Sequence, residues 1–261
     1  MKYKFDEKEH MHSLDDRPLI GTSTACKILA KPLTWWASGL AVAEMGWQNG
    51  KLVKKEERLK SVDAALTKIK AMDVEEYQKL LDNAYKAHSV RLKSAASGGV
   101  DLHAELEKYV KMCIAENNGV PIPVSSNELI TEFVDWSVKE VSRFLFSEIH
   151  TYSEKLWLGG IVDAGAVLKD GTNAIIDFKS AKAAYFDHFV QVALYSLQLE
   201  ENGGFTCDGV KILEPVKMAQ SIIIPFGTKP LKPAVRHDAS RFMETARAVL
   251  MVYKHTLDFE L

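Results

Sequence analysis

The chain has 261 residues, 47% of them apolar and 26% charged, so it can bury a sizeable core as one elaborated domain or as a domain with an annex. No apolar run approaches the roughly 18 residues of a membrane span, and the Met1 to Lys4 start has no apolar signal core behind it. Cys26, Cys113 and Cys207 are too scattered for a disulfide framework or a zinc site, and a net charge of −2 excludes binding of phosphate backbones by overall charge alone.

A cytoplasmic protein is therefore expected. Two local basic groups stand out: Lys51, Lys54, Lys55, Arg58 and Lys60, then Lys86, Arg91 and Lys93. Glu56, Glu57, Glu75 and Glu76 lie among them, so solvated helix faces account for these groups as well as a nucleic-acid contact does.

Residues 1–20 are polar and mixed and predict an extended arm or a small hairpin. Thr22 or Ser23 suits the N-cap of a helix running to Ala30. Pro32 then opens a second helix over Leu33 to Met45, in which Trp35 and Trp36 are adjacent. Paired tryptophans can stack on single-stranded bases, but these lie among Ala, Leu and Val, which favours packing.

Residues 51–93 are dense in Lys, Glu and Ala and predict one or two amphipathic helices with a break at Met72 and Asp73. Ser97, Gly98 and Gly99 predict the end of this annex, which divides the chain into an N-terminal arm and helical annex (1–95) and a core (96–261). A new helix is expected from Val100. Leu102, Leu106, Tyr109 and Cys113 form its apolar stripe, and His103 and Glu107, four apart, share the adjacent face. Pro121 to Ser126 predicts a loop, followed by a helix to Arg143 and a strand from Phe144 to Tyr152 that carries Glu148.

From Gly159 to Glu200 the pattern is strand, turn, strand, loop and helix. The turn allows two registers. A two-residue loop at Asp170 and Gly171 sends Asp163 and Asp177 to opposite faces. A three-residue loop over Lys169, Asp170 and Gly171, with Gly171 left-handed, pairs Leu168 with Thr172 and Asp163 with Asp177. The three-residue register gathers Val162, Ala164, Ala166, Leu168, Ala174, Ile176 and Phe178 on one face. It puts Asp163, Asp177 and Lys179 on the other, which is expected to be wet. Asp177 and Lys179 alone would be an exposed ion pair contributing about 0–1 kcal/mol. Two acids meeting across a hairpin repel one another, and a divalent cation removes that conflict.

Gln191 and Tyr195 lie one turn apart on the next helix, which Gly203 and Gly204 end. Strands at Gly209 to Leu213 and Ser221 to Pro225 follow, then a helix from Ala234 to His255. This order predicts an α/β fold with a mixed central β-sheet flanked by helices.

These residues resemble the motifs of the PD-(D/E)XK nuclease superfamily, in its RecB-like exonuclease branch. Gly160 to Asp163 is similar to its G-x-x-D motif, Asp177 to Lys179 to D-x-K, and Gln191 to Tyr195 to Q-x-x-x-Y. Gly99 to His103, running on to Glu107 and Tyr109, resembles the helix that supplies the branch's metal-binding histidine. Val162 stands where the superfamily's proline would be, and the resemblance leaves residues 1–90 and the C-terminal tail uncovered.

The resemblance implies a restriction-endonuclease-like core and phosphodiester hydrolysis. Asp163, Asp177 and Lys179 would be catalytic. His103, Asp163, Asp177 and the backbone carbonyl of Phe178 would hold one or two Mg²⁺ or Mn²⁺ ions, with Glu148 in a supporting place. Gln191 and Tyr195 would contact the substrate. The iron–sulfur cluster of some relatives needs four cysteines and is not expected from three.

DNA, as a single strand or as duplex ends, is the implied partner. The chain lacks a G-x-x-x-x-G-K-[ST] motif, so a helicase, a recombinase or a single-strand-binding protein would be separate. A non-catalytic DNA-end-binding protein on the same fold is the alternative, against which the intact acid and lysine set argues. A carboxylate-pair glycosidase would need a raised carboxyl pKa that a neighbouring lysine opposes.

Overall fold

A computed structural model describes residues 2–30, 33–47, 54–123, 127–227 and 234–257, with side chains outside 95–101 and 129. The expected helix start at Pro32, the basic Lys51 and the loop end at Ser126 lie outside the described residues. In chain order the elements are β1 (Tyr3–Asp6), β2 (Met11–Leu14), β3 (Arg17–Pro18), β4 (Ile20–Gly21), α1 (Thr22–Ala25), α2 (Thr34–Glu44), α3 (Lys55–Lys70) and α4 (Val74–Asn117). Then come α5 (Thr131–Glu140), β5 (Val141–Ser153), β6 (Leu158–Leu168), β7 (Asn173–Lys179), α6 (Phe186–Asn202), β8 (Gly204–Phe205), β9 (Lys211–Leu213), β10 (Gln220–Pro225), β11 (Val235–Asp238) and α7 (Ser240–Leu257).

The fold is α/β. Its main sheet has eight strands in the order β11-β10-β7-β6-β5-β8-β9, with β4 beside β6. It is mixed: β10 runs parallel to β7 and β4 parallel to β6, while β5, β6 and β7 are antiparallel neighbours.

Helices cover both faces. On one, Leu106, Tyr109, Val110 and Cys113 of α4 and Phe133 and Val134 of α5 pack on Phe144, Ala164, Ala166, Ala174, Ile176 and Phe178. On the other, apolar residues of α6 and α7 pack on Phe146, Ile175 and Ile223. Continuous burial of Ala174 to Phe178 follows from this double cover.

The chain divides into two compact units, Met1–Ala30 with Gly99–Leu261, and Lys31–Gly98. The N-terminal arm is therefore part of the core unit rather than of the annex. It forms a three-stranded sheet of β1, β2 and β3, closed by Tyr3, Leu14 and Leu19 on Tyr152 and Phe205, and then adds β4 to β6. Thr22 does not cap α1; its Oγ1 donates to the Gly159 carbonyl and accepts from Gln198 Nε2.

In the other unit Gly46 follows the C-cap of α2, and its φ of +90° and missing Cβ let Ala65 of α3 approach closely. The break at Met72 and Asp73 is present. The expected break at Ser97 to Gly99 is not, since α4 runs unbroken from Val74 to Asn117. The segment 234–255, expected to be one helix, is the edge strand β11 followed by α7, because Val235 to Asp238 complete the ladder on β10.

Candidate active site

The hairpin adopts the three-residue loop. Leu168 N donates to Thr172 O at 2.8 Å, Gly171 N donates to Leu168 O at 2.9 Å, and Gly171 has φ +81°. Val167↔Asn173 to Ala164↔Ile176 are paired, which leaves Asp163 and Asp177 as the next positions in register. The ladder stops there, and β7 continues beside β10 as far as Lys179. On this edge β6 is paired by β4 at Leu158 and Gly159 and by β7 from Ala164 onward. Among the described residues, Gly160 to Asp163 thus border a gap between two strand ends.

Asp163 reaches into that gap. Its Oδ2 accepts the Phe178 backbone N–H at 2.7 Å and lies 3.3 Å from His103 Nε2. A hydrogen bond to a carboxylate contributes about 1.5–3 kcal/mol and here replaces a lost ladder bond. The N–H and carbonyl of one strand residue project to the same side, so the Phe178 carbonyl also faces the gap. Lys179, next along, uses its own carbonyl on the opposite side, where it accepts from Phe226 N at 2.8 Å.

The stripe of α4 buried on the sheet holds His103 at its margin, edge-on to Phe178. His103 Nδ1 lies 3.9 Å from Glu148 Oε1. Ligand atoms of His103, Glu107 and Glu148 all fall within 4.8 Å of one another. The hydrogen bond to Asp163 raises the His103 pKa against the opposing effect of burial. Burial pushes Glu148 up to about 7, reinforced by the Asp163 and Glu107 carboxylates. An excess of acidic oxygens around one imidazole fits a hard divalent cation such as Mg²⁺ or Mn²⁺.

Asp177 and Lys179 correct the expectation of a wet face. Asp177 is 2% exposed, and Ile175 on the same face is fully buried. Lys179 Nζ lies 2.9 Å from Asp177 Oδ1 and 2.8 Å from Oδ2; only the first contact is aligned as a hydrogen bond, which leaves Oδ2 free to take another partner. Burial pushes Asp177 up to about 6, with Lys179 opposing. Burial also disfavours the Lys179 ammonium, but Asp177 and Asp163 outweigh it and its pKa is raised. Burial and Lys179 together push His188, in the first turn of α6, down to about 4.

Gln191 Nε2 donates to Tyr195 Oη at 2.8 Å. The Tyr195 ring lies over Gly160, where a Cβ would come within 2.5 Å of Cε1 and 2.8 Å of Thr22 Oγ1. Tyr195 is 5% exposed and Gln191 half-buried, so of the two residues expected to contact a substrate Gln191 is the more accessible, with Tyr195 behind it.

The structure thus brings together His103, Asp163, Phe178, Asp177 and Lys179, and adds Glu107 and Glu148. Glu107 was legible as the residue one turn beyond His103. Glu148 was expected only in a supporting place, through the resemblance; its approach to His103 was not legible, since it sits mid-strand at φ +51°, a left-handed conformation that no turn residue announces. The chain matches no family model and no curated protein.

Proposed function

We propose that this protein is a metal-dependent nuclease of the PD-(D/E)XK kind, hydrolysing DNA phosphodiester bonds as an exonuclease in recombination, repair or phage DNA processing. One observation carries the reading: His103 Nε2 lies 3.3 Å from Asp163 where β6 and β7 part, with the buried Asp177–Lys179 pair following in register. His103, Asp163, Asp177 and the Phe178 carbonyl would hold Mg²⁺ or Mn²⁺, joined by Glu148 and Glu107. When bound, the cation supplies Lewis-acid charge for the phosphoryl oxygens and a coordinated water of lowered pKa.

The protein's own groups do the rest. Asp177 fixes the Lys179 ammonium at one position and keeps it protonated, so it donates hydrogen bonds to a phosphoryl oxygen or to the attacking water. Asp163, held by the Phe178 N–H, orients the His103 ring through Nε2. Tyr195 packs on Gly160 and sets the direction of Gln191, the group available for a backbone phosphate.

The test is degradation of end-labelled linear and circular DNA, with an RNA arm, in Mn²⁺ and in EDTA. Cation-dependent loss of linear DNA, abolished in Lys179→Ala, is expected. Binding to DNA ends with no cleavage in either cation would replace this reading by a non-catalytic end-binding protein.

A further inference from the structure

We propose that the groove between α2 and the first part of α4, within the unit Lys31–Gly98, binds single-stranded nucleic acid. The groove has a volume of about 610 Å³ and is lined by Trp36 and Leu40 from α2 and by Lys86, Val90 and Arg91 from α4. Trp36 keeps 38% of its surface exposed there, and Trp35 beside it keeps 90%. One carboxylate, Glu44, lines the groove against the two cations. Among the described residues neither Lys86 nor Arg91 takes part in an ion pair.

Charge selects the occupant. Residues 31–98 hold twelve Lys and Arg against eight Asp and Glu, a surplus of four cations in a chain whose net charge is −2. From Asn83 to Gly98 there are three cations, Lys86, Arg91 and Lys93, and no acid. A second copy docking through the same groove would bring like charge onto it, whereas a polyanion complements it.

The aromatic lining selects among polyanions. An indole offers a flat face to any unpaired base, and such stacking contributes about 1–3 kcal/mol per base, while cations along the rim hold the backbone. In a duplex the base faces are covered by their neighbours, so the groove takes a single strand. The tryptophans and the cations lie on different helices, and the groove exists because residues some fifty positions apart meet.

The proposal goes beyond the nuclease reading and stands without it, because binding is read in EDTA. Full-length protein is titrated with fluorescent oligo(dT), oligo(U) and blunt duplex DNA, following anisotropy and tryptophan quenching at about 50 and 200 mM salt. Single strands should bind more tightly than duplex and quench tryptophan, and the dT and U arms show whether DNA or RNA is preferred. Trp36→Ala should weaken single-strand binding about tenfold. Trp36→Phe, which keeps a stacking face, should retain most of it. The pair Lys86→Glu and Arg91→Glu should weaken binding at least as much and flatten its salt dependence.

Wild-type affinity in the folded charge-reversed pair overturns the proposal. So does equal binding of duplex, or sedimentation showing a dimer that Trp36→Ala dissociates, which would make the groove a self-interface.

Discussion

Asp177 and Lys179 sit two apart on a strand, which puts their side chains on one face, and that much follows from pleat geometry. What spacing does not reveal is that the face is buried. In water such a pair contributes little; out of it, each charge depends on the other. Lys179→Met should destabilise the protein by about 3–5 kcal/mol at neutral pH, because Asp177 is left buried and uncompensated. The double variant Asp177→Asn with Lys179→Met should recover much of that loss while Mn²⁺-dependent cleavage stays absent. Urea denaturation beside a cleavage assay separates the two effects. Recovery of cleavage in the double variant would remove Lys179 from the reaction. Glu148 marks the opposite limit: its approach to His103 depends on a left-handed residue inside β5, and nothing in Phe146 to Thr151 announces it.

At the scale of elements the β6–β7 hairpin was readable because a one-residue slip would have turned Ala164, Ala166, Ala174 and Ile176 out of the core. Gly171 closes its loop at φ +81° with open space around its Cα, so an added Cβ meets no neighbour. Gly171→Ala should therefore cost about 1–2 kcal/mol from backbone strain alone, measured as a lower urea midpoint with an unchanged slope. A neutral substitution would show that the loop can shift register. Gly160→Ala is the contrasting case, where backbone freedom is not at issue. Here the new methyl meets Tyr195 and Thr22, and overpacking should cost about 1–3 kcal/mol with Gln191 displaced. Cleavage falling further than stability would tie that displacement to substrate contact. The helix α4 was misjudged at Ser97 to Gly99 because glycine's cost of about 1 kcal/mol is a local preference, outweighed by the hydrogen-bonded turns on either side.

For the molecule as a whole, the N-terminal strands join the core through His12. This histidine is 6% exposed, shares a hydrogen bond of 2.7 Å between its Nδ1 and Tyr3 Oη, and packs over Gly159, where a Cβ would lie 2.5 Å from its own. Burial, reinforced by His150 and His10, pushes its pKa down to about 3. Burial also lowers that of His150. The unfolded chain titrates His12 near 6.5, so between about 6.5 and 3 it binds more protons than the folded one. Stability conferred by neutral His12 is thus complete above about pH 6.5 and is lost as pH falls, at up to about 1.4 kcal/mol per unit. Urea midpoints from pH 7.5 to 4.5 should fall less steeply in His12→Gln than in wild type. Parallel curves would mean that His12 is protonated in the folded protein.

The class of fold, the hairpin register, the annex helices before residue 93 and the candidate residues His103, Asp163, Asp177, Lys179 and Gln191 were legible in the linear chain. Each rests on local periodicity, on turn chemistry or on a short motif. Long-range packing decided that the N-terminal strands belong with the core, that Val235 to Asp238 form an edge strand, and that Glu148 meets His103 and Glu107. It also decided that Trp36 shares a groove with Lys86 and Arg91. No helix among the described residues is long and apolar enough to cross a membrane. The division has one physical cause: periodicity fixes which side of an element is apolar, but what covers that side is set by segments distant in sequence.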